Sequence, residues 1–187
     1  MKINRTQRAA IGTLFSGAST ARKLAAAVLL VVAVCGYLWQ KPGEVSGVVV
    51  GVADGDTITV LDAAQTQHKI RFAFVDAPEQ AQPWGQRAKQ ALSDRVYRRA
   101  VRVEIVDTDR YGREVGRVWL DDTDVNLVQL AEGYAWHYVY YAKKRQDSGD
   151  FAGYERAQDA ARAGHVGLWA DSDPTPPWDF RREKRGE

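Results

Sequence analysis

Residues 45–52 are rich in β-branched side chains, and after the turn cluster Ala53-Asp54-Gly55-Asp56 strand character resumes over residues 57–61. The two runs predict a hairpin, followed beyond the polar stretch 62–67 by a third strand over residues 68–75 that Ala77-Pro78 ends. Over residues 86–99 the period changes: Ala88, Ala91, Leu92 and Val96 fall at helical spacing and predict an amphipathic helix. Strands return at 101–106 and 113–120, joined by the polar turn 107–112. Residues 124–132 predict a short helix closed by Gly133. Residues 151–162 predict another, with Phe151, Tyr154 and Ala157 on one side and Gly164 as its cap. This order predicts an α+β domain with three helices, and five short strands suffice to close a small β-barrel. From Asp171 onward the chain is proline-rich and charged with little to pack, which predicts a flexible tail over residues 171–187.

Ahead of these elements, residues 24–39 form an uncharged, mostly apolar run of sixteen. A helix of that length spans about 24 Å, short of a ~30 Å hydrocarbon core but workable if flanking residues snorkel. A soluble helix apolar on every side would need a core all around it, so the run is read as a transmembrane or signal-anchor segment behind a basic cytoplasmic N-terminus, residues 1–23. Five basic residues precede it and Lys41 follows closely, an arrangement that exports everything downstream, to the periplasm or the exterior. Cleavage of the segment would release the domain as a secreted protein, while an uncleaved anchor keeps it on the membrane. The only cysteine, Cys35, lies inside this run, so the exported part has neither a disulfide nor a cysteine metal site.

Charge sharpens the division. The whole chain carries 26 basic and 24 acidic residues, a net +2, but the first 41 residues hold six basic residues and no acid. The remainder has 20 basic against 24 acidic residues, a net −4. A domain of that sign cannot attract a polyanion through its overall field; any such attraction must be local.

The local candidates gather at strand ends. Asp54-Gly55-Asp56-Thr57 is a turn by composition, but fifteen residues after Asp56 the third strand carries Arg71 and ends in Asp76-Ala77-Pro78-Glu79. Pro78 biases Ala77 toward extended backbone, leaving its carbonyl outside any helical ladder. Two carboxylates and a carbonyl are hard oxygen ligands of the kind Ca²⁺ accepts, whereas three scattered histidines, His68, His137 and His165, do not make a zinc site. The turn 107–113 superficially matches the start of an EF-hand loop. It fails at the fifth position, Tyr111, and at the twelfth, Val118, where a bidentate Glu is required. Its better use is to present Arg113 at the mouth of the next strand. Farther on, Tyr134, Trp136, His137, Tyr138, Tyr140 and Tyr141 run into Lys143, Lys144 and Arg145, a mixture that suits single-stranded nucleic acid as well as it suits a core. Trp119, mid-strand, and Trp169 are read as core.

Taken in order, DGDT (54–57), RFAFVDAPE (71–79), DRYGR (109–113), VN (125–126) and GLW (167–169) resemble the staphylococcal nuclease-like, or thermonuclease, family over residues 44–170. The resemblance implies a five-stranded OB-fold barrel with three helices and a Ca²⁺-dependent phosphodiesterase acting on DNA and RNA. It would make Asp56, Asp76 and the Ala77 carbonyl metal ligands, with Asp54 holding the cation's water. Arg71 and Arg113 would bind the scissile phosphate, and Glu79 would act on the attacking water. Among the aromatic residues, Tyr111 and Tyr141 are read as the substrate contacts. Many members have Thr where this chain has Ala77, a departure of little consequence when the ligand is a main-chain oxygen. A binding module without activity, or an envelope scaffold, would have no need of Arg71, Glu79 and Arg113 together with both aspartates.

Overall fold

A computed structural model describes residues 43–186. The basic N-terminus and the apolar run 24–39 lie outside the described residues; among those described, no helix is long and apolar enough to cross a membrane.

The polar and apolar pattern resolves into β1 (Glu44–Val52), β2 (Thr57–Asp62), β3 (Gln67–Phe72), β4 (Val75–Asp76), helix α1 (Gly85–Val96), β5 (Ala100–Thr108), β6 (Glu114–Leu120) and β7 (Thr123–Asp124). Helix α2 (Val125–Ala131), β8 (Trp136–His137), α3 (Val139–Arg145), α4 (Ser148–Ala163), a 3₁₀ turn (Gly167–Ala170) and α5 (Pro177–Arg185) follow. The main sheet runs β3-β2-β1-β5-β6-β7, and β3 also pairs in parallel with β6, closing a five-stranded barrel of the OB-like kind. Register shifts in β1 at Val49/Gly51 and in β5 at Ile105/Asp107 supply the curvature that closure needs. Val49, Ile58, Val60, Ile70, Phe72, Val103 and Val118 fill the interior, and Leu92 and Val96 of α1 complete it.

Three expectations are corrected. The run 68–75 is not one strand: Phe74 adopts a left-handed backbone (φ 66°), breaking β3 from β4. In a continuous strand residues five apart would lie about 16 Å from each other on opposite faces. The turn instead folds Asp76 back onto Arg71. Helix α1 stops at Val96 rather than Arg99, because the Arg98 N–H donates to the Val49 carbonyl and the Val49 N–H to the Arg99 carbonyl, drawing residues 98 and 99 into the barrel.

The third correction concerns helices: the described residues form five α-helices, not three. Residues 139–145, expected only as an aromatic and basic run, form α3. The stretch expected to have little to pack forms α5, with Pro177 at its first turn, where a missing N–H costs nothing. Trp178 on α5 packs against a second apolar cluster of Trp136, Ala161, Leu168 and Trp169. Ring centroids of Trp136 lie 4.3 Å from Trp169 and 5.7 Å from Trp178. The approach to α5 is tied down too, by Trp84 Nε1 donating to Asp171 at 2.9 Å and by the Gln82 amide donating to the Thr175 carbonyl. Trp169 is core as expected, but Trp119 is only half-buried, flanked by the guanidiniums of Arg102 and Arg117 at 5.2 and 4.8 Å.

Candidate active site

Two turns bring the acidic groups together. The β1–β2 turn is built by Asp54, whose Oδ1 accepts the Asp56 N–H at 3.0 Å, while Asp56 turns inward, buried. Asp56 Oδ1 accepts from the Thr57 hydroxyl at 2.9 Å and Oδ2 from the Ala77 N–H at 2.9 Å, so it bridges to the second turn. Gly55 allows this approach: a Cβ there would lie 2.7 Å from the Cβ atoms of both Ala77 and Ala88.

Helix α2 holds both turns by their backbones. Asn126, fully buried, accepts the Val118 N–H and donates to the Ala73 carbonyl at 2.9 Å, next to the β3–β4 break. One turn later Gln129, also fully buried, donates to the Gly55 carbonyl at 2.9 Å. The VN run marked Asn126 only as part of a motif, and Gln129 escaped sequence reasoning. A buried amide serving a distant carbonyl leaves no local signal.

Arg71 Nη2 lies 2.6 Å from Asp76 Oδ1 and 3.5 Å from Asp56 Oδ2, so one guanidinium spans the two buried carboxylates. The field of Asp56, followed by that of Asp76, holds Arg71 charged more firmly than an ordinary arginine. Burial pushes the Asp76 carboxyl up, against the pull of Arg181 and Arg71. Asp54 is pushed up to about 6, first by burial and next by the neighbouring charge of Asp56.

Above these acids lies a cleft of about 480 Å³ whose lining includes Asp54, Arg71, Glu79, Tyr111, Arg113 and Tyr141. The parallel β3–β6 pairing, which sets Arg71 opposite Val115, brings Arg113 to the same mouth. Arg113 is not loose. Its Nε and Nη2 each lie 2.7 Å from Asp109 Oδ2, and it lies 5.6 Å from the ring of Tyr111, a largely exposed side chain. Tyr141 donates to Asp107 at 3.2 Å, and burial together with that carboxylate pushes its hydroxyl up to about 12. The rest of the aromatic run divides. Trp136 and His137 are buried, whereas Tyr140 is exposed with the Lys144 ammonium 4.0 Å from its ring.

The cleft also contains Arg181 and Arg185 of α5, which the sequence analysis did not anticipate. Arg181 Nη2 donates to Asp76 Oδ2 at 2.6 Å, and its Nη1 donates to Glu79 Oε1 at 2.7 Å and to Asp76 Oδ1 at 3.2 Å. Pro at the start of α5, with Trp178 and Phe180 after it, was the available signal that this stretch would pack.

Among the described residues no three His, Cys, Asp or Glu side chains cluster as a metal site by themselves. The fit to a hard divalent cation rests on two buried carboxylates, Asp56 and Asp76, close enough to share one guanidinium, beside the backbone of Ala77. Oxygen donors alone suit a hard cation and not zinc.

A family model described as "Staphylococcal nuclease homologue" matches residues 69–171. Protein ParB of Escherichia coli is 39% identical over 168 residues, covering 85% of this chain and 90% of the relative. A micrococcal nuclease of Shigella flexneri is 37% identical over 179 residues, 91% of this chain and 97% of its own. An uncharacterized endonuclease of Haemophilus influenzae is 38% identical over 137 residues, 73% of each. The matched span contains the β3–β6 closure, Arg71, Asp76, Glu79 and Arg113, and two of these relatives align over nine-tenths or more of their length. By sequence and by the barrel that positions those residues, this chain belongs to the staphylococcal nuclease homologue family.

Proposed function

We propose that this chain is a calcium-dependent nuclease that hydrolyses phosphodiester bonds of DNA and RNA and leaves 3′-phosphate ends. The observation that carries the reading is a single cleft in which Arg71, Glu79 and Arg113 stand over two buried aspartates. A phosphodiester anion repels a nucleophile until its charge is offset. Arg71 and Arg113 do this with planar, permanently charged donors that match phosphate oxygens two at a time. Asp56 and Asp76, with the Ala77 carbonyl, would hold the cation, and Asp54 its water. Calcium, when bound, would supply positive charge beside the scissile phosphate and favour ionisation of nearby water. Glu79 accepts a proton from the attacking water, the new P–O bond forms, and the bond to the 5′ oxygen breaks with its electron pair leaving on that oxygen. Arg113 serves as a hydrogen-bond donor to the growing charge rather than as an acid, because a guanidinium does not give up its proton. Tyr111 and Tyr141 offer ring faces and a hydroxyl to the substrate at the cleft edge.

Incubation of the chain with single-stranded DNA in calcium and in chelator tests the reading. Cleavage is expected only with calcium, with ends that need phosphatase before a polymerase extends them. Glu79→Gln and Arg113→Ala should each lower kcat by about 10²-fold or more. Cleavage indifferent to chelator, or full activity in both variants, would overturn the assignment. The alternative of a silent nucleic-acid-binding module draws on one observation, that Glu79 and Arg113 are each ion-paired within the chain; binding without cleavage in calcium would favour it.

We further propose that residues 24–39 anchor the chain in a membrane with the nuclease domain exported, supported by their apolar run and the basic flank before it. Extraction of cell membranes at alkaline pH should leave the full chain in the pellet. Its quantitative release would refute the anchor.

A further inference from the structure

We propose that Arg181 is a built-in competitor of the divalent cation: in the metal-free protein its guanidinium occupies the acidic face that calcium requires, and calcium binds by displacing it. The inference rests on the calcium reading above.

The positions of the donors carry it. Asp76 offers two oxygens; Arg71 takes Oδ1 at 2.6 Å, and Arg181 takes Oδ2 at 2.6 Å while also approaching Oδ1 at 3.2 Å. With its other nitrogen Arg181 reaches Glu79 at 2.7 Å, so one side chain covers both a metal carboxylate and the general base. A divalent cation that takes Asp76 must share or replace these donors, since like charges repel at contact distance. Arg71 is the poorer candidate to yield: it is gripped by Asp56 as well as Asp76, and its side chain is 22% exposed. Arg181 is 33% exposed and holds nothing on the β1–β2 turn. The helix that carries it is anchored separately, through Trp178 on the tryptophan cluster, so the guanidinium can leave while α5 stays. The contact lies on α5, beyond residue 171, where the match to the family model ends.

Calorimetric titration of the full-length chain in detergent solution with calcium chloride, without nucleic acid, measures this directly. Arg181→Ala and Arg181→Gln should each bind calcium at least about tenfold more tightly than the parent chain, because each removes a charge-assisted pair that the ion must otherwise break. Arg182→Ala, which removes a neighbouring cation paired to Asp179 on the outside of α5, should leave the affinity unchanged. If calcium binds the parent and both Arg181 variants equally, or the variants more weakly, the competition is overturned and the calcium reading stands. If neither the parent nor any variant takes up calcium, both fall together.

Discussion

The two acidic turns of this molecule are similar in composition and opposite in behaviour. Asp54-Gly55-Asp56 joins β1 to β2, and the turn that carries Asp109 and Gly112 joins β5 to β6; each pairs aspartates with a glycine and each serves an arginine of the cleft. In the first, Asp56 is buried against the backbone of Ala77, and Asp54 is pushed up to about 6 by burial and by its neighbour. In the second, burial again opposes ionisation, but the N–H groups of Tyr111 and Arg113 and the Arg113 guanidinium outweigh it and hold Asp109 below its usual range. An aspartate surrounded by donors presents an arginine. Aspartates crowded together in the interior, with Arg71 and Arg181 drawn in to offset them, concentrate negative charge on oxygen donors, and that is what a divalent cation can use.

The sharpest way to break the contrast is Asp76→Asn. It removes the charge that Arg71 and Arg181 share but leaves Arg71 to Asp56 and Arg181 to Glu79, and because burial already holds the Asp76 carboxyl up, neutralising it costs the fold little. The urea midpoint should stay nearly unchanged, whereas cleavage in calcium should drop by at least about 10²-fold. A variant that keeps the parent's rate would remove the buried turn from the machinery.

Exchanging each turn's glycine sharpens the comparison at a smaller scale. At Gly55 an added Cβ meets Ala77 and Ala88 at 2.7 Å, so Gly55→Ala must shift the turn that carries Asp56, costing about 1–3 kcal/mol together with activity. At Gly112 a Cβ meets nothing within 4 Å, but φ is +77°. Gly112→Ala should therefore cost only about 1 kcal/mol of left-handed strain and leave calcium binding intact. Thermal unfolding of the two variants side by side reads the difference, and equal losses would contradict it.

Acid titration gives the most gradual effect. Because Asp54 binds its proton more tightly folded than unfolded, its contribution is most favourable below about pH 4 and is lost as pH rises to about 6. Metal-free protein should lose on the order of 3 kcal/mol of stability across that window, at about 1.4 kcal/mol per unit of pKa. Asp54→Asn should flatten the profile; an identical slope in the variant would show that another group titrates.

Much of the barrel was legible before the structure. Val45 to Val52, Thr57 to Leu61 and their partners announce strands because each strand turns one face to the core, and Leu92 and Val96 announce α1 for the same reason. The candidate site was legible as a set of residue types at strand ends. Its assembly was not: the Phe74 break, the Asn126 and Gln129 clamps and the Arg181 contact each join residues whose local sequence carries no record of the partner. The 171–187 stretch misled because its charge suggested solvent, while Trp178 on the tryptophan cluster and Arg181 on Asp76 and Glu79 help fix where α5 packs.

The sequence by itself determined where strands and the first helix form, which side chains could perform phosphodiester chemistry, and that an apolar segment with a basic flank precedes the domain, since period, residue type and charge are local properties. Only the tertiary structure decided which acids are buried, which arginine each one meets and that a C-terminal helix closes over the acidic face. Desolvation and ion pairing depend on atoms brought close by barrel closure from residues far apart along the chain, and a one-dimensional pattern does not contain those distances.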